Sequence, residues 1–176
     1  MPGATRGDGP PPRASTEPLP GRLQDAAATL RAAGLAGRAD LHPVGLLAPD
    51  ASLPSGYDAV WMSQFLCCFP REDVVRLLRL AASALDDGGR LFVLDISWER
   101  QENEVAAYCP IQTSLYFACL ANGNSRMLRP DAMLACIRAA GLRVEEEVDD
   151  LGTGHTLFSC RRAADTSPLV EEEARP

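Results

Sequence analysis

The side chains best suited to accept a proton or attack an electrophile near neutral pH are two histidines and six cysteines. His155 closes the loop Leu151-Gly152-Thr153-Gly154-His155, which joins two short apolar runs that read as strands. An imidazole in such a loop can take the proton of a phenol or alcohol; the alternative is a ring bonded to the backbone of its own loop. His42 precedes Pro43 at the end of a short strand-like run and reads as structural. The cysteines (Cys67, Cys68, Cys109, Cys119, Cys136, Cys160) form no Cys-x-x-Cys pair and lie mostly within apolar runs. That pattern predicts buried free thiols in place of metal ligands or disulfides.

The elements that must position these groups alternate along the chain. Leu23, Ala26, Ala27, Leu30 and Ala33 fall at helical spacing, with Gly34 as a stop. A short strand is expected over Arg38–Pro43 and a second, buried one over Tyr57–Met62. After Pro70, the residues Val74, Leu77, Leu78, Ala81 and Leu85 share one helical face, and Gly88-Gly89 is read as the end of that helix. Arg90–Ile96 reads as a strand buried on both faces. A long helical stretch from Glu102 to Ala121 stops at Asn122-Gly123-Asn124, and a shorter helix covers Asp131–Ala140. Two strands, Leu142–Asp149 and Thr156–Arg161, share a loop too short for a crossover and must pair antiparallel. Helices between the earlier strands predict parallel pairing, so the fold class is α/β: a mostly parallel sheet with a terminal antiparallel hairpin. In such sheets ligands bind at the carboxyl edge, where the His155 loop emerges.

With 176 residues the chain is sized for one domain. Residues 1–17 are crowded with proline and glycine and read as a disordered tail, 18–162 as the folded part, and 163–176 as an acidic tail. The 17 basic residues, all arginine, are outnumbered by 24 acidic ones, leaving a net charge of −7 without a basic patch. Nucleic acid and anionic membrane are therefore not expected partners. No stretch approaches the ~20 apolar residues of a membrane span. Pro10, Pro11 and Pro12 sit where a signal peptide would carry its apolar core, so a cytoplasmic protein is expected.

Two phrases carry a resemblance: DAVWMSQFLCCF (58–69) and ALDDGGRLFVLD (84–95), supported by SLYFACLANGNSRM (114–127) and GLRVEEEVDDLGTGHTLFSC (141–160). Together they resemble the S-adenosylmethionine-dependent O-methyltransferases that act on small molecules, in the plant-type group and its bacterial branch. The resemblance covers about Leu19 to Cys160 and only the carboxyl-terminal part of the family's catalytic domain. It implies a Rossmann-like sheet lacking its first strands and a small aromatic or polyketide-like hydroxyl as acceptor.

Position by position, the resemblance implies that Cys67 stands where relatives place a histidine base, with Cys68 at a neighbouring aspartate and Met127 at a glutamate. Asp95 keeps the carboxylate that orients the base. Cofactor contacts are implied at Met62 and Ser63, and at Gly45, where relatives carry an acidic residue. Tyr116, Asn122, Asn124 and Arg126 fall where relatives contact the acceptor, although Asn122-Gly123-Asn124 also suits a simple helix cap and turn. Trp98 is placed to close over the site, or to pack. The family's glycine-rich cofactor turn is not expected here, because only the proline-rich stretch precedes Leu19, and Gly152-Thr153-Gly154 is no substitute, since it joins strand to strand instead of strand to helix. The resemblance therefore implies a truncated methyltransferase with weak or absent cofactor binding. A second reading is a degenerate, non-catalytic relative that binds a full-length methyltransferase, as a homo- or hetero-oligomer through an open sheet edge.

Overall fold

The computed structural model of the chain describes residues 13–16, 22–121, 125–152 and 154–163. It falls into two compact units, Met1–Ser52 and Leu53–Pro176.

In the first unit, strand β1 (Arg13–Thr16) pairs in parallel with β2 (Asp40–Pro43), and helix α1 (Arg22–Ala32) connects them. The connection closes as the sequence predicts: Gly34 adopts φ 71°, and the Leu35 amide donates to the Leu30 carbonyl at 2.8 Å. A single 3₁₀ turn (Ala36–Arg38) occupies the start of the expected strand, which begins only at Asp40. β1 lies inside the stretch expected as a tail; the ladder with β2 gives its backbone the partners that composition alone does not foretell. Apart from that strand and Ala163, the two expected tails lie outside the described residues.

The second unit holds β3 (Tyr57–Ser63), α2 (Arg71–Ala84), β4 (Leu85–Ile96), α3 (Glu104–Tyr116), α4 (Pro130–Ala139), β5 (Leu142–Leu151) and β6 (His155–Arg162). A π-helical turn, Phe117–Ala121, prolongs α3. The four strands form one sheet in the order β3-β4-β6-β5. β3 and β4 are parallel, whereas β6 is antiparallel to both β4 and β5. Three strands thus point one way and the hairpin strand β6 is inserted between two of them. The hairpin is as expected; its insertion leaves one directly bonded parallel pair.

Register explains the core. Leu91, Val93 and Asp95 of β4 lie opposite Cys160, Phe158 and Thr156 of β6, and all six are buried. Val74, Leu77, Leu78 and Ala81 of α2, together with Met133, Cys136 and Ile137 of α4, are buried with them. The α2 spacing read from sequence is therefore the packed face.

The glycine pair behaves differently from expectation. α2 stops at Ala84 and β4 starts at Leu85, so Gly88-Gly89 lies within an irregularity of the β3–β4 ladder. A Cβ on Gly89 would stand 2.7 Å from the Tyr57 carbonyl oxygen, which leaves glycine as the residue that lets the two backbones approach. All six cysteines are free, as expected, but Cys68, Cys109 and Cys119 are exposed. Apolar residues sit on more than one side of α3, so Val105 and Tyr108, with Leu120 in the turn that prolongs it, are exposed.

Candidate functional site

The carboxyl edge of the sheet is where β3 and β4 end and β6 begins, which places Ile96 directly opposite His155. Beyond Ser63, Gln64 turns the chain out of β3 with φ 49°, while its amide still donates to the Leu94 carbonyl at 2.8 Å. A 3₁₀ turn over Leu66–Cys68 follows, anchored by the buried Leu66. The Cys67 carbonyl accepts from the Arg126 amide at 2.8 Å, which ties this turn to the segment after α3. The Met127 amide in turn donates to Ser114 Oγ of α3 at 2.9 Å.

Asp95 is 5% exposed. Its carboxylate accepts from the Ile96 amide at 2.9 Å and also from the amide and thiol of Cys67. Burial raises the carboxyl above its ordinary value, and the hydrogen bonds and nearby His155 only partly oppose that. Burial, followed by the charge of Asp95 and the proximity of Cys68, also pushes the Cys67 thiol far up. Cys67 is therefore a protonated donor to Asp95. The resemblance puts Cys67 where relatives carry a base, but these surroundings oppose its ionisation to a thiolate.

His155 makes two contacts through its ring. Nδ1 lies 3.3 Å from the Leu151 carbonyl, and Nε2 lies 2.6 Å from the side-chain nitrogen of Gln64. Asp95 pairs with Thr156 and lies on the opposite face of the sheet from His155, which acts on its carboxyl through charge alone. The loop carrying His155 is held by Gln101, whose side-chain amide donates to the carbonyls of Ser97 and Gly154, both at 2.8 Å. Thr156 donates to Asp149 at 2.7 Å, and Arg100 pairs with both Asp149 and Glu147.

An apolar groove of about 430 Å³ opens between α3 and residues 125–129, lined by Trp98, Ile111, Ser114, Leu115, Arg126 and Met127 among others. Trp98 belongs to this wall, with the Arg129 guanidinium 5.9 Å from its ring. Of the predicted acceptor residues, Arg126 lines the groove, while Tyr116 is exposed and packs on Phe117. Asn122 and Asn124 lie outside the described residues. A second cleft, of about 480 Å³, includes Asp87, Gly141 and Arg162 and sits at the amino edge of the sheet, away from this chemistry.

The fold compares closely with solved methyltransferases. The mitomycin 7-O-methyltransferase MmcR superposes with a TM-score of 0.69 at 24% identity, over 86% of this chain and 42% of its own. The S-adenosylmethionine-dependent methyltransferase SibL gives 0.70 at 27% identity, over 85% and 43%. The O-methyltransferase NcsB1 of neocarzinostatin biosynthesis, solved with S-adenosylhomocysteine and 1,4-dihydroxy-2-naphthoic acid, gives 0.66 at 19%, over 84% and 41%.

The chain carries the O-methyltransferase fold. It spans less than half the length of these three methyltransferases. No protein-family model and no curated protein matches the sequence, so the fold carries this likeness where sequence comparison does not.

The fold implies S-adenosylmethionine as cofactor, and the described residues fit it only in part. Met62 and Ser63 end β3 at the carboxyl edge, one half-buried and one exposed. Gly45 belongs to the first unit, and among the described residues a Cβ there would meet the Ala48 Cβ at an ordinary 3.7 Å. Among the described residues no glycine-lined turn joins a strand to a helix at this edge. Gln64 is the site residue that sequence reasoning missed, because its amide does not titrate and its partner His155 is 91 residues away in the chain.

Proposed function

We propose that this chain is the acceptor-side part of an S-adenosylmethionine-dependent O-methyltransferase acting on a small aromatic or polyketide-like hydroxyl. The observation that carries the reading is the sheet order β3-β4-β6-β5 with its inserted antiparallel β6, which brings His155 to the carboxyl edge. In this reading the open groove beside Trp98, Ile111 and Met127 takes one face of the apolar ring. His155 receives the hydroxyl proton at Nε2, since Nδ1 is committed to the Leu151 carbonyl. S-adenosylmethionine would supply the methyl group; the chain's own work is positioning and proton removal.

Two titrations test this. Adding 2-naphthol is expected to shift the Trp98 indole and Met127 methyl signals in NMR spectra, and calorimetry with S-adenosylhomocysteine is expected to show little binding by this chain alone. Tight binding of S-adenosylhomocysteine would show the donor site to be complete within the chain and overturn the acceptor-side restriction. A folded chain that binds neither molecule would favour the second reading, a non-catalytic partner of a full-length methyltransferase. One observation supports that alternative: Trp61, on marginal strand β3, is 57% exposed.

A further inference from the structure

Gln64 stands out for its backbone as well as its side chain. Among the described residues only Gln64 and Asp150 combine a side chain with a left-handed φ, 49° and 58°. Such a conformation costs energy and persists where the surroundings over-determine it, often at functional sites. At Gln64 the main chain is held by the Leu94 carbonyl and the side chain by His155.

The donors and acceptors around the ring have a single consistent assignment for neutral imidazole. The Leu151 carbonyl can only accept, so Nδ1 carries the hydrogen in the 3.3 Å contact. A neutral ring then presents a bare lone pair at Nε2, and the Gln64 amide nitrogen, 2.6 Å away, donates to it. Gln101 fixes the loop from the other side: Gly154 adopts φ 92°, and a Cβ there would collide with the Gln101 amide. The ring is thus aimed by its own strand, by the Leu151 carbonyl and by Gln64.

We infer that Gln64 is the positioning residue of His155: it selects the Nδ1–H tautomer and covers the Nε2 lone pair until an acceptor hydroxyl takes its place. This rests on the reading of His155 as the base. An imidazole nitrogen has one in-plane lone pair, so amide and hydroxyl cannot use it together. Exchanging one donor for another loses one hydrogen bond and makes one, so displacement is nearly balanced. The hydroxyl proton then moves to Nε2 and leaves its electron pair on the acceptor oxygen. Without an acceptor, the base stays capped.

The test uses the purified chain with ¹⁵N-labelled histidine, His155 being assigned by its loss in His155→Gln. The wild-type ring is expected to show the Nδ1–H pattern. In Gln64→Gly, which removes the amide and accepts the left-handed φ, the pattern should move toward the Nε2–H form preferred by free neutral imidazole. Gln64→Asn, whose amide is one methylene short, should behave alike. Carbethoxylation of His155 by diethyl pyrocarbonate, mapped by mass spectrometry, should become several-fold faster in both variants. An Nε2–H ring in the wild type, or an unchanged tautomer and modification rate in both variants, overturns the assignment. If the tautomer responds but saturating 2-naphthol leaves the His155 ring signals unmoved, the base reading fails and the positioning role stands.

Discussion

Cys67 and Asp95 hold each other in forms that do little chemistry by themselves. The thiol is pushed up by burial and by the carboxylate beside it, so it stays protonated and donates. Alkylation at neutral pH is therefore expected to label the exposed Cys68, Cys109 and Cys119 and to spare Cys67, Cys136 and Cys160, as peptide mapping would check. Rapid labelling of Cys67 in the folded chain would refute the buried-donor account. Asp95 supplies a pH dependence of definite sign. Its folded carboxyl lies above the ordinary 3.8, so its contribution to stability is complete below that value and is lost as pH rises through the folded value. Asp95→Asn should thus gain on the wild type between acid and neutral pH, which urea melts at several pH values would measure. A difference independent of pH would count against burial as the cause.

At the scale of elements, the β3–β4 pair depends on the close approach at Gly89. Adding a methyl group 2.7 Å from the Tyr57 carbonyl pushes backbone against backbone, where no side chain can yield. Gly89→Ala is expected to destabilise the chain by about 1–3 kcal/mol, measured by chemical denaturation. The α2 face gives an independent check: Leu78 is fully buried, so Leu78→Ala should cost about 2–5 kcal/mol. α3 differs from α2 because its apolar residues do not gather on one buried face. One flank lines the groove through Ile111 and Leu115, while Val105, Tyr108 and Leu120 face outward.

Across the whole sheet the two margins are unlike. Marginal strand β5 is lined with acidic residues paired to arginine, Glu145 with Arg143 and Arg161, and Glu147 and Asp149 with Arg100. Charges of this kind discourage another strand from adding. β3 carries Trp61 instead, its ring 5.5 Å from that of Phe92 on the same face. Trp61→Lys is expected to lower self-association in light scattering and leave the melting temperature nearly unchanged, because the side chain is mostly exposed. An unaltered association state would show that this margin is not the sticky one.

The sequence alone determined the local elements with a strong period or a hard stop. The α2 stripe, the Gly34 stop, the strand leading to Asp95 (though it is buried on one face only) and the short loop forcing β5 and β6 antiparallel follow from side-chain spacing and backbone reach, which are properties of neighbours in the chain. The methyltransferase likeness was legible for the same reason, through phrases built on β3 and β4. Tertiary structure decided what each chemical group faces. It moved the glycine pair from a helix stop into a strand irregularity, placed Asp95 and His155 on opposite faces of one edge, and turned Cys67 into a donor. Above all it set Gln64 against His155, a contact between residues 91 positions apart. A pairing between such distant residues arises only when the sheet is assembled, and an amide that never titrates leaves no mark in composition or spacing by which it could be found.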